Sequence, residues 1–150
     1  MRTWIVAVIL LGLLLISGSL AAAGPAPDLT KVRITHVGAD ETGWIPANQA
    51  SMATLYGQRF YIAVEFTGYP KDSEIFLYQN GSQIPLSEIK EPFGRKGIGN
   101  PLKGWVYQFA VPIRYGNGTI AVEAAGPKGG RYTSTLYGVR AEYQPEPAAK

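Results

Sequence analysis

Three stretches of the chain concentrate groups able to make contacts. Residues 68–73, 87–103 and 126–131 carry Lys71, Lys90, Arg95, Lys96, Lys103, Lys128 and Arg131 against Asp72, Glu88 and Glu91. The same stretches hold Tyr69, Phe93 and Ile98. Clustered cations steer an acidic partner by long-range potential, and aromatic side chains supply the apolar anchors an interface also needs. Lys71, Arg95, Lys96, Lys128 and Arg131 are therefore the expected partner contacts, with Tyr69 and Phe93 as anchors.

Trp44 belongs to a different chemistry. It stands beside Ile45 and Pro46, away from any alternating run, and an exposed indole can stack on a sugar ring. Trp105 is in phase with Tyr107, Phe109 and Val111 and reads as core. His36 is the sole histidine and shares parity with Val32 and Ile34 at a strand end. A lone histidine cannot build a His-rich metal site, and no nucleophile elbow accompanies it. Gly94–Gly99 is glycine-rich and basic, but no Gly-Lys-Ser/Thr follows, so it is not a P-loop. There is no cysteine, which removes thiol catalysis and thiolate-bound metal. No catalytic, cofactor-binding or metal-binding residue is assigned, and a non-enzymatic role is expected.

Strands must position these groups. Arg59–Thr67 alternates strictly, with Phe60, Ile62, Val64 and Phe66 on one face. Thr119–Ala124 and Gly104–Ile113 repeat the pattern, and Thr30–Val37 opens the series. Glu74–Gln79 and Ser82–Leu86 flank Asn80-Gly81, a strong hairpin signal because a type I′ turn needs φ > 0 at both central residues. Arg131–Tyr143 reads as a long last strand whose parity shifts near Tyr137-Gly138, where a bulge is expected. The expectation is a single antiparallel β-sandwich of about seven strands over residues 30–143, with long connections at 38–57 and 87–103. Met52–Tyr56 offers a short extra strand inside the first of these.

The ends speak to compartment. Arg2, the apolar run Trp4–Ile16 and the small residues Ala21–Ala23 follow the order of a secretory signal peptide. Cleavage after Ala23 leaves 127 residues, with no membrane span and an extracytoplasmic destination: periplasm, cell surface or medium. Residues 24–29 and 144–150 are Pro-rich and expected to be disordered. A formal charge of +3 on the full chain is too mild for a nucleic-acid binder dominated by phosphate contacts.

The run Gly118–Ser134 (GTIAVEAAGPKGGRYTS) is similar to the sixth strand, glycine-containing loop and seventh strand of fibronectin type III domains. With the strand spacing over Thr30–Tyr143, the chain resembles immunoglobulin-like and fibronectin type III-like sandwiches. Gly118 stands where those domains usually carry an aromatic, and the cysteine pair of antibody domains is missing. The resemblance implies binding and spacing roles.

In such a sandwich the B–C, C′–E and F–G connections meet at one end, which would join the three basic stretches. The leading expectation is thus an exported binding module that recognises a protein or an acidic macromolecule of the cell envelope through those loops. A carbohydrate-binding module using Trp44 is the first alternative. The second is a structural subunit of a surface assembly that self-associates by pairing an exposed last strand.

Overall fold

The computed structural model describes residues 27–99 and 102–148, with 91–93 as backbone only. The expected signal segment 1–23 and the first residues of the lead-in lie outside the described residues.

The alternating segments form ten strands: β1 (Lys31–Ala39), β2 (Gly43–Pro46), β3 (Thr54–Gly57), β4 (Arg59–Thr67), β5 (Ile75–Gln79), β6 (Ser82–Gln83), β7 (Lys90–Ile98), β8 (Gly104–Pro112), β9 (Gly118–Ala125) and β10 (Arg131–Tyr143). They pair into two five-stranded sheets, ordered β2-β1-β4-β8-β7 and β3-β10-β9-β5-β6. The fold is an all-β sandwich.

Alternation in β4 sends Phe60, Ile62, Val64 and Phe66 into the interior, each fully buried. Tyr107, Phe109 and Val111 of β8 join them from the same sheet, and Leu77, Ile120, Val122, Val139 and Ala141 meet them from the other. Each such aliphatic or aromatic side chain contributes about 1.5–3 kcal/mol by leaving water. The second sheet closes against this core through the β5–β6 hairpin, where Asn80 (φ 49°) and Gly81 (φ 80°) take the expected left-handed pair. Asn80 also accepts the Thr119 N–H at 2.9 Å. Gly118 sits against it with φ 93°, and a Cβ there would lie 2.1 Å from the Asn80 Oδ1.

Three strands lie where long connections were expected. The segment after β1 folds back as β2 and then crosses to the second sheet as β3, which pairs with β10 in parallel (Arg140 opposite Thr54 through Tyr143 opposite Gly57). The sandwich is therefore not wholly antiparallel. The other connection contains β7, an edge strand antiparallel to β8. The last strand, expected to offer a free edge, is covered by β3 over its final four residues. Its bulge falls where parity predicted, between Leu136 and Val139.

The lead-in also departs from expectation. Leu29 is 1% exposed, Tyr69 N–H donates to Pro27 O at 3.0 Å, and Asp28 bridges to Tyr69. Pro27–Leu29 is thus part of the packed domain, because Leu29 fills an opening beside the glycine-containing turn at Gly126.

Candidate functional site

Strand direction decides which basic residues meet. Lys31 pairs with Thr67, Thr67 with Gly104, and Gly104 with Ile98, so these four mark one end of the first sheet. The turns at 68–74 and 126–130 gather at that end with Lys71, Lys103, Lys128 and Arg131. Glu88 and Lys90 do not: Lys90 pairs with Ala110 near the opposite end, where Glu88 bonds Arg114.

Two of the four cations that gather, Lys71 and Arg131, are matched internally. Lys71 Nζ is 3.1 Å from Glu74, and Arg131 is 3.1 Å from Glu123 and 3.9 Å from Glu74. Arg95 lies in β7 rather than a loop. It turns toward the edge of the interior, 2.8 Å from Asp72, with its guanidinium 4.5 Å above the Tyr107 ring. Tyr69 is half-buried edge-on against Trp105, at 6.1 Å, so it packs the domain's end instead of standing free. Lys96 pairs opposite Val106 on the outer face of the first sheet, in a strand rather than a loop. Phe93 has its side chain outside the described residues. Of the seven expected contacts, Lys71, Arg131, Lys128 and Tyr69 share one end; among the described residues only Lys128 of these three cations forms no ion pair.

The outer face of the first sheet is built differently. β1 carries a register shift between Ile34 and His36, an extra residue that turns His36 outward opposite Ala63. The histidine is therefore a surface group on a strand, not an interior-parity residue. Beyond it β1 turns at Gly43 (φ 73°) and returns as β2, so that Trp44 lies beside Gly38. A Cβ on Gly38 would meet the Gly43 carbonyl oxygen at 2.6 Å; glycine lets the hairpin close tightly and presents the indole. Trp44, 40% exposed, then stacks on Tyr61 of β4 with ring centroids 5.7 Å apart and planes tilted 37°.

Asp40 pins this arrangement from the turn. Its carboxylate accepts the N–H groups of Gln58 (2.9 Å) and Arg59 (2.7 Å) and the Tyr61 hydroxyl. Burial pushes the carboxyl upward, but the hydrogen bonds from Tyr61, Arg59 and Gln58 outweigh it and hold Asp40 below the usual carboxylate range. Burial and the hydrogen bond to Asp40 both raise the Tyr61 phenol.

Next to the stacked pair runs an open groove of about 850 Å³, lined by Trp44, His36, Asn48, Ala63, Glu65 and Gln108, with Arg33 and Val106 at its far end. Ala63 is a small floor between larger walls. Arg33 Nη2 contacts both Glu65 oxygens, at 3.1 and 3.2 Å. An exposed ring beside amide, carboxylate and imidazole groups is the composition that holds a polar ring-shaped ligand: one apolar face to stack on and several convergent hydrogen-bonding groups.

Residues 24–137 match the family described as "Domain of unknown function (DUF4879)". The chain belongs to that family. No curated protein matches it. The DUF4879 match takes in the whole groove and stops within β10, short of the segment that pairs with β3.

Sequence parity had already turned Glu65, Ala63 and Tyr61 outward on β4. Gln108 follows the same rule on β8. His36 was missed because a one-residue bulge leaves no mark in composition.

Proposed function

We propose that this DUF4879 domain is a non-catalytic, extracytoplasmic carbohydrate-binding module, with the groove beside Trp44 as its site. One observation carries the reading: the β1–β2 hairpin holds an indole, 40% exposed, against Tyr61 at the mouth of an open groove of about 850 Å³. A glycan laid across β4 and β8 would stack on Trp44 and bond Gln108, Asn48 and Glu65.

Two further features support the assignment. The strand order places β1, β4, β8 and β7 in one sheet and β10, β9, β5 and β6 in the other, the A-B-E-D and G-F-C-C′ arrangement of an immunoglobulin-like sandwich. Export is supported by the charged, apolar and small-residue order of residues 2–23 and by a family match that opens at Gly24.

The basic end of the sandwich is the weaker site for a partner. Its Arg131 and Lys71 are already matched by Glu74 and Glu123, and a partner would have to displace those ion pairs. Binding of soluble polysaccharides to the wild-type protein and to Trp44→Ala, followed by tryptophan fluorescence, tests the proposal. Saturable quenching in the wild type and none in the variant is expected; equal binding by both overturns it.

A further inference from the structure

The charge on the grooved face specifies which carbohydrate. Among the described residues, the outward positions of β1, β4, β8 and β7 carry Lys31, Arg33, Arg59, Lys90 and Lys96 against a single carboxylate, Glu65. That carboxylate is already bonded to Arg33. β8 contributes no charge at all. The surplus is placed as well as present. Arg33, Glu65, Val106 and Lys96 form one row across four neighbouring strands, about 14 Å long at the usual strand spacing. Lys31 lies one outward position beyond Arg33. Lys31 and Lys96 form no ion pair among the described residues, unlike Lys71 and Arg131 at the basic end.

We infer that the groove takes an acidic polysaccharide, one bearing carboxylate or sulfate groups, whose ring stacks on Trp44 while its anions meet Lys96 and Lys31. This rests on the reading of the groove as a carbohydrate site. A neutral chain would leave the lysines without counter-charge. An unstructured polyanion would leave the indole and the amide groups unused.

Matched polymers separate the two claims. Polygalacturonate, alginate and hyaluronan, each as the free acid and as the methyl ester, are titrated against the exported protein by calorimetry at low and at high salt. At least one free acid is expected to bind at least about ten-fold tighter than its ester, with the gap shrinking as salt screens the charges. Lys31→Gln combined with Lys96→Gln, at two exposed strand positions, should weaken the acid about three- to ten-fold, as expected for surface ion pairs, and leave the ester unchanged. Equal binding of acid and ester overturns the inference and leaves the carbohydrate site standing. Acid binding that survives Trp44→Ala shows charge capture alone and overturns both. So does failure of every polymer in both forms.

Discussion

Trp44 and Tyr61 meet across two strands because the residue between them, Gly38, has no side chain: the indole of β2 reaches over β1 to the phenol of β4, 5.7 Å away. The pair is a local structure with its own support, since Tyr61 is bonded to Asp40 and Asp40 to the backbone of residues 58 and 59. A ring fixed before ligand arrives loses little freedom on binding, which favours affinity.

Trp44→Ala should therefore separate binding from folding. The side chain is 40% exposed, and its ring pair with Tyr61 is worth about 0.5–1.5 kcal/mol. Denaturant unfolding should show a loss of that size, while polysaccharide affinity falls at least about ten-fold. A loss of stability well above this range would make the tryptophan a structural residue first.

Asp40 gives the fold two pH edges. Its folded pKa is lowered, so its contribution is present above the unfolded value of about 3.9 and disappears as pH falls through the folded one. Tyr61 is raised, so its contribution is present below about 10 and disappears as pH rises through its folded value. Asp40→Asn should flatten both edges in a plot of stability against pH and cost about 1 kcal/mol at neutral pH. Unchanged slopes would show that other groups set them.

Gly104 tests the sheet pairing. A Cβ at this position would lie 2.0 Å from the Phe66 carbonyl oxygen, so β8 begins in van der Waals contact with the end of β4. Gly104→Ala should cost about 1–3 kcal/mol through forced backbone shift. Gly81→Ala meets no atom within 4 Å but keeps φ at 80°; it should cost about 1 kcal/mol from backbone strain alone. Thermal melts of the two variants compare crowding with conformation.

Lys128→Glu addresses the basic end. Lys128 lies in the turn between β9 and β10 and forms no ion pair among the described residues. The substitution should leave polysaccharide affinity within about two-fold, because the lysine is not among the residues that line the groove. A large drop would move the site to that end.

Much of the fold was legible in the chain, and the reason is parity. β4 and β8 alternate so strictly that their inner and outer faces follow from residue type, and Asn80-Gly81 announces its turn. β7 was not legible. Gly94, Gly97 and Pro92 weaken strand propensity, and the strand exists because β8 offers it a partner, a tertiary effect that overrides local preference. β3 was anticipated as a short strand, but nothing local reveals its parallel partner. The site was half-visible. Trp44 was marked for exposure by its lack of phase, and Lys96 by its charge. Their placement on one sheet face, and the removal of Arg95 to Asp72 and Tyr107, depend on the register between β7 and β8.

The most direct test is a fluorescence titration of the protein without residues 1–23, and of its Trp44→Phe variant, with polygalacturonate at low salt. Trp105 is partly buried against Tyr69 and Tyr107, so a ligand-dependent change should come from Trp44. Saturable quenching in the wild type, absent from the variant, is the predicted result. The same signal in both proteins, or none in either across the acidic and esterified polymers, would contradict a carbohydrate site on this face.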